Sequence, residues 1–382
     1  MHGFEGYRML DAPHTPVGLR EAQDLLTREY GLEGACIKRI VTERDDTFAV
    51  CGQNRTIEYV LKIETPAESL ESVLMRAAAL QAVAASPYGI PAMRLVPRND
   101  GSLVCRMPVE EENTEFGALA VGGAAHDGES AGIANGEASA QRWVALVTYV
   151  NGMTLSKLPT PYEPSIVDDI GIRLAQIQRA LEPVPKATGF RDIRGRILWD
   201  VDLVGDLAED ICPLITDMQW RSLIERAVID YDRVASRLRG TPTGLCHGDF
   251  HPGNLIVSGP RATRISGIID FGDAHEMPLV VDVGTCLAYL IDTKNGNHAF
   301  DVCRRAFDAY RIERGEECEW MLEFLPAIFK ARIALSILLP FLVERRAGER
   351  SGHYLSSLGE RAVELSMLIH WDEDEIRQML RP

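Results

Sequence analysis

Between Gly244 and Ala274 the chain reads GLCHGDFHPGNLIVSGPRATRISGIIDFGDA. His247-Gly248-Asp249 comes first, Asn254 follows five residues after the aspartate, and Asp270-Phe271-Gly272 stands 16 residues after Asn254. The second group closes a β-type run, Ile265 to Ile269. A single Asp or Asn in such a place serves turns and helix ends. The ordered set points instead to phosphoryl transfer, which asks the protein for positioning and charge cancellation more than for covalent work. Asp249 can orient and deprotonate a nucleophilic hydroxyl, while the Asn254 amide oxygen and the Asp270 carboxylate offer the hard oxygen ligands that Mg²⁺ prefers. Gly248 and Gly253 let the backbone turn tightly around them.

The chain around this stretch has 382 residues, 46% hydrophobic and 25% charged, which suits a globular protein with room for two lobes. Its net charge of −16, with no cluster of Lys and Arg, argues against nucleic acid as a partner. Eight cysteines lie scattered without a CxxC pair or metal-ligand spacing, and read as reduced thiols. The start, MHGFEGYRML, lacks the basic and apolar regions of a signal peptide. The most apolar run, Ile333 to Val343, spans 11 residues after Lys330 and Arg332 and contains Pro340, too short for a bilayer. A cytoplasmic protein with no membrane partner is expected; the sequence leaves the oligomeric state open.

Hydrophobic spacing predicts a helix over Gly18 to Tyr30, stopped by Gly31. Three β-type runs follow, Cys36 to Thr42, Thr47 to Cys51 and Glu58 to Ile63, then a helix over Ala67 to Ala85. Two more strands, Leu103 to Met107 and Trp143 to Val150, flank Glu110 to Gln141, a stretch poor in large apolar residues that reads as a mobile hairpin insertion or a lid. After Asn151-Gly152 helices dominate, with Pro164 to Ala180, Trp220 to Leu238, Asn297 to Arg311, Trp320 to Val343 and Tyr354 to His370 as candidates. This order predicts an α+β fold: residues 1–150 as an N-terminal antiparallel sheet with a helix, residues 151–382 as a larger, mainly helical lobe, and a hinge near Thr148 to Gly152.

The segments HGDFHPGN and IIDFGD resemble those of the aminoglycoside phosphotransferase and choline kinase family, relatives of the protein kinases with small-molecule acceptors. The resemblance runs from about Ala35 to Val343 and is greatest to the hydroxylysine kinase branch, through YVLKI at Tyr59 to Ile63, ALVTYVNGMTL at Ala145 to Leu155 and the GDA after IIDF. It implies a bilobal protein-kinase-like fold, with ATP or GTP as phosphate donor and Mg²⁺ as cofactor. By position it implies Asp249 as catalytic base, Asn254 and Asp270 as metal ligands, Lys62 as the strand lysine that meets the nucleotide phosphates, and Asp282, in VVDVG, as a buried aspartate that braces the catalytic loop, Asp282 being alternatively a simple helix cap. His247 belongs with Asp282 among the supporting residues.

Lys62, flanked by apolar residues, either reaches water or meets an anion, and the downstream motif favours phosphate. Thr42 to Thr47 occupies the place of a phosphate-covering loop without the Gly-x-Gly-x-x-Gly of protein kinases, so that role falls to backbone N–H groups and Thr47. Where a helix glutamate is expected to pair with the lysine the chain has Met75 and Arg76; Glu71, one turn earlier, either substitutes or the pair is absent. Tyr149 and Val150 of the hinge are expected to bind the purine through main-chain groups, which leaves ATP and GTP undistinguished. For the acceptor the candidates are Asp273, Glu276 and Trp199, the last in RGRILWDVD, with Asp273 alternatively a helix cap or the partner of a local Arg, Trp199 alternatively a core residue, and Arg194 or Arg196 the candidates if the acceptor is an anionic hydroxy acid.

The expected activity is transfer of a nucleotide γ-phosphate to a hydroxyl of a small polar metabolite, a hydroxylysine-like amino alcohol being favoured over an aminoglycoside or hydroxy acid. A protein kinase fits less well, because HGD replaces HRD and no Ala-Pro-Glu follows the second motif. A non-catalytic nucleotide-binding module is expected to lack one of Asp249, Asn254 and Asp270, and all three are present.

Overall fold

The computed structural model describes residues 16–42, 45–52, 54–108, 141–184, 197–315, 317–347 and 358–381. The insertion expected to be mobile, Glu110 to Gln141, lies outside them except for Gln141, which opens a strand, and Arg194 and Arg196 lie outside them as well.

Helix α1 (Leu19–Tyr30) buries Ala22, Leu25, Leu26 and Tyr30, the i, i+3, i+4 stripe of an amphipathic helix, and Gly31 ends it at φ 67°. Each leucine so buried contributes about 1.5–3 kcal/mol. The stripe packs against Phe48, Val50, Leu61, Ile63 and Leu146 of a five-stranded sheet. Its strands are β1 (Cys36–Ile40), β2 (Asp46–Cys51), β3 (Ile57–Ile63), β4 (Cys105–Pro108) and β5 (Gln141–Thr148), in the order β1-β2-β3-β5-β4. All four pairings are antiparallel. Helix α2 (Leu70–Ala85) starts at Ser69, whose hydroxyl accepts the Ser72 N–H.

The second, larger hydrophobic cluster lies among the helices. Pro164 opens α3 (Pro164–Leu181), where its missing N–H costs nothing. The remaining α-helices among the described residues are α4 (Val204–Ile211), α5 (Met218–Leu238), α6 (Leu279–Ala288), α7 (Asp301–Arg314), α8 (Leu325–Ala347), α9 (Leu358–His370) and α10 (Glu373–Met379). Gly171 lets α3 close on α7: a Cβ there would sit 2.1 Å from the Ala306 carbonyl oxygen. Between the helices run β6 (Met153–Thr154), β7 (Thr243–Cys246), β8 (Leu255–Val257), β9 (Gly267–Ile268) and β10 (His275–Pro278). The architecture is the α+β, bilobal, protein-kinase-like one that the element order and the resemblance predict.

One expectation is corrected. The apolar run does not stop at 11 residues, because Lys330, Arg332 and Pro340 all lie inside the 23-residue α8. The window Leu325–Leu342 is long and apolar enough to cross a membrane by length and composition, and 94% of it is buried inside the fold. Its two charges have partners: Lys330 Nζ bonds Asp230 at 2.6 Å, and Arg332 bonds Asp249. Helix α8 is the core helix of the helical lobe, and that burial accounts for its hydropathy.

Candidate active site

Strand β7 pairs with β10 and delivers the chain into the loop that carries Asp249. Gly248 makes the turn at φ 82°, and a Cβ there would lie 2.1 Å from the Asp273 carbonyl oxygen, so only glycine fits. Its N–H donates to Asp282 Oδ1 at 3.1 Å, and Gln178 Nε2 donates to Asp282 Oδ2 at 3.2 Å. Asp282 sits fully buried in the first turn of α6; burial pushes its carboxyl pKa up, against the pull of His247 and these donors. His247, also fully buried, accepts the Asp249 N–H at Nδ1 (3.3 Å) and donates from Nε2 to the Ile269 carbonyl (3.1 Å). One imidazole thus ties the backbone beside Asp249 to the backbone beside Asp270.

Three polar side chains surround the Asp249 carboxylate. Asn254 Nδ2 donates to its Oδ2 at 2.8 Å and to its main-chain oxygen at 2.9 Å. His251 Nε2 lies 3.2 Å from Oδ2, while His251 Nδ1 accepts the Gly253 N–H at 3.0 Å, which puts the ring proton on Nε2. Arg332 donates to Oδ1. Burial pushes the Asp249 pKa up, but His251 and Arg332 outweigh it and hold the carboxyl well below the usual range.

Asp270 adopts a left-handed backbone, φ 62°, at the end of the β9 segment, which turns its half-exposed side chain into the cleft. Its Oδ1 accepts from Lys62 Nζ at 3.1 Å and from the Gly272 N–H at 3.3 Å. The Lys62 ammonium holds the Asp270 pKa low. On the sheet, Lys62 stands opposite Thr47, whose hydroxyl is buried without a hydrogen-bond partner among the described residues. An ammonium and an unfilled hydroxyl side by side suit an anion.

Of the two alternatives for Glu71 the absent pair fits the structure: the carboxylates acting on Lys62 are Asp270, Glu64 and Asp45. Arg76 occupies the helix position of the usual glutamate and pairs with Glu64 at 3.0 Å and Glu68 at 2.9 Å. Here the segment between β3 and α2 supplies the acids and the helix the base, so the helix carries a cation where that of a protein kinase carries the glutamate.

Asp249, Asp270, Lys62 and Thr47 line one cleft of about 550 Å³, together with Trp199 and Asp273. Asp273 does not cap α6, whose N-cap position is Pro278. Trp199 is half-buried and lies under Arg332, with the guanidinium carbon 4.5 Å from the ring centroid. Glu276, expected beside them, is not among the lining residues: β10 alternates, and its inward position goes to His275, 3.5 Å from Asp200. Tyr149 and Val150 lie outside this cavity as well. The Tyr149 N–H donates to the Glu58 carbonyl at 2.7 Å, and the Val150 side chain packs over Gly267. Sequence reasoning missed His251, Tyr289, Arg332 and Arg361, all of which line the cleft. For Arg332 a signal existed, since a cation inside a long apolar helix requires a partner.

The sequence profile described as the phosphotransferase enzyme family matches residues 37–318. The chain belongs to this family. Among curated proteins it is similar to hydroxylysine kinase of Danio rerio, 23% identical over 274 residues, 71% of this chain and 69% of that protein. It is also similar to homoserine kinase of Mesorhizobium japonicum, 27% identical over 165 residues, with 43% and 45% covered. Among solved structures it resembles amicoumacin kinase in complex with AMP-PNP, Ca²⁺ and Ami, with a TM-score of 0.64 at 14% identity, covering 94% of this chain and 97% of that one. As a member of the phosphotransferase enzyme family the protein is a small-molecule kinase, with an alcohol group as acceptor.

Proposed function

We propose that the protein transfers the γ-phosphoryl group of ATP or GTP to a hydroxyl of a small charged metabolite, a hydroxylysine-like molecule ahead of an aminoglycoside. Residues 1–150 serve as the nucleotide-binding lobe and 151–382 as the lobe for catalysis and the acceptor. The observation that carries this reading is the convergence of Asp249, Asp270, Lys62 and Thr47 on one cleft wall. The acceptor hydroxyl donates to Asp249, its oxygen forms the new bond to phosphorus, and the bond from phosphorus to the nucleotide's bridging oxygen breaks. Because the Asp249 carboxyl is held so acidic, its main contribution is to orient the hydroxyl, and the proton moves to it late, as charge develops on the attacking oxygen. Lys62 and Thr47 meet the phosphates.

The residues fit a magnesium ion. Asn254 turns its NH₂ to Asp249, which leaves the amide oxygen outward, and Asp270 keeps an oxygen without a hydrogen bond among the described residues. When bound there, Mg²⁺ supplies charge neutralisation for the transferring phosphoryl group. On the acceptor side Asp273 is placed to take an ammonium, and Trp199 to cover the apolar part of the molecule. Glu276 has no part in this account. A screen of hydroxylated metabolites with ATP and with GTP, read as nucleotide turnover, tests the proposal: no alcohol-dependent turnover with either nucleotide contradicts it.

A further inference from the structure

Beyond Asp249 the cleft changes character. Its nucleotide end carries Lys62 among acids, whereas its acceptor end carries two guanidinium groups, Arg332 and Arg361, around Tyr289. The Arg332 guanidinium lies 5.4 Å from the Tyr289 ring centroid and that of Arg361 4.9 Å. From this geometry we infer that the acceptor end binds a carboxylate and that Arg361 is the residue that takes it, so that the acceptor is a hydroxylated acid and not a purely cationic amino alcohol. The inference rests on the kinase reading above and narrows its substrate class.

The two arginines differ in what they have left to give. Arg332 is fully buried, with Nη2 on Asp249 and Nη1 on the Trp199 carbonyl at 3.0 Å, so that only its buried Nε is without a hydrogen-bond partner among the described residues. Arg361 is partly exposed and holds Glu364 through Nη1 at 2.6 Å. Its Nε and Nη2 make no hydrogen bond among the described residues, and the contacts with Glu364 and Tyr289 fix the plane of the group. A guanidinium with two donors free and its plane already set matches the two oxygens of a carboxylate.

The groups at this end offer a place to both poles of a zwitterion. Asp249 balances Arg332 and Glu364 pairs with Arg361 through one nitrogen, while Asp273, which also acts on Arg332, is the one other acid lining this end among the described residues. An acceptor that brought only an ammonium would leave the remaining donors of Arg361 unmatched. A zwitterion satisfies both sides, its ammonium at Asp273 and its carboxylate at Arg361. The whole-chain charge of −16 gives no hint of this, since it sums over the surface.

The test uses acceptor pairs that differ only by a carboxylate: homoserine against 3-aminopropan-1-ol, and 5-hydroxylysine against its decarboxylated diamine. Steady-state kinetics are compared for the full-length protein and for Arg361→Gln and Arg361→Lys. We expect the wild type to favour the acids. Arg361→Gln should raise KM for the acids by about 10-fold to 100-fold, the loss of one charge-assisted pair. It should leave the amines and the nucleotide KM unmoved, and Arg361→Lys should restore part of the loss. Equal use of acids and amines by the wild type, or an equal loss on both with Arg361→Gln, overturns the carboxylate assignment and leaves the kinase reading standing. Should no alcohol be phosphorylated, the kinase reading fails instead, and calorimetric binding of the same pairs decides the inference. Tighter binding of the acids, abolished in Arg361→Gln, upholds it; equal or absent binding overturns it.

Discussion

Arg332 bonds the Asp249 carboxylate from a helix 83 residues further along the chain, and its guanidinium stacks on Trp199 as it does so. The core helix of the helical lobe therefore reaches directly into the reaction centre. A buried carboxylate without such a partner drifts toward its neutral form. With His251 and Arg332 beside it, Asp249 stays ionised across the working pH range.

The sign of a pH effect follows. In the wild type, kcat/KM should show no acid limb from Asp249 until the pH falls below the ordinary carboxylate range. In Arg332→Met the raising effect of burial is opposed by His251 and His247 without the guanidinium, so the limb moves to higher pH. A pH–rate profile of both proteins checks this, and coincident acid limbs would speak against it.

Asp282 holds the catalytic loop by its bond to the Gly248 N–H. Asp282→Ala leaves that buried donor unmatched, at a cost of about 1–3 kcal/mol in stability. Denaturant unfolding measures it. Activity should fall too, because the Gly248 turn sets the position of Asp249.

Lys330 and Asp230 form a buried pair, 2.6 Å apart and both nearly inaccessible. Removing the lysine alone strands a buried carboxylate and should cost about 3 kcal/mol, the lower end for such a pair because Arg233 still contacts Asp230. The double variant Lys330→Met/Asp230→Leu should recover most of that loss. Equal destabilisation of the single and double variants would show that packing, not charge, sets the cost.

Divalent cation dependence should divide unequally between the two proposed ligands. Asp270→Ala removes a full charge and should raise the Mg²⁺ requirement more than Asn254→Ala does. Titrating Mg²⁺ at saturating nucleotide distinguishes them, and full turnover in excess chelator would contradict any metal role.

Much of this was legible in the sequence because it depends on local order. The β-rich start, the helix-rich remainder and the HGDFHPGN and IIDFGD loops follow from short-range spacing, and α1, α3 and α5 lie within a few residues of their expected bounds. What was missed depends on contacts distant in sequence. Arg361 carries no local mark of an active site and Arg332 only that of a cation in an apolar helix in need of a partner; the packing of α8 and α9 brings them to Tyr289 and Asp249. The same holds for Lys62: the motif predicts a partner acid on the following helix, whereas Arg76 at that position draws Glu64 and Glu68 to itself. Glu276 was misplaced for a simpler reason. It neighbours the motif in sequence, but strand alternation gives the inward place to His275.

The central claim is that Asp249 serves transfer of a phosphoryl group to a small-molecule hydroxyl. Its most direct test is the mass spectrum of the acceptor after incubation with ATP or GTP and Mg²⁺, for the wild type and for Asp249→Asn. The account predicts an acceptor heavier by one phosphoryl group with the wild type, formed about 10²-fold to 10⁴-fold more slowly by the variant while nucleotide binding persists. Product formation by Asp249→Asn within about threefold of the wild-type rate, against that expected loss, would contradict it.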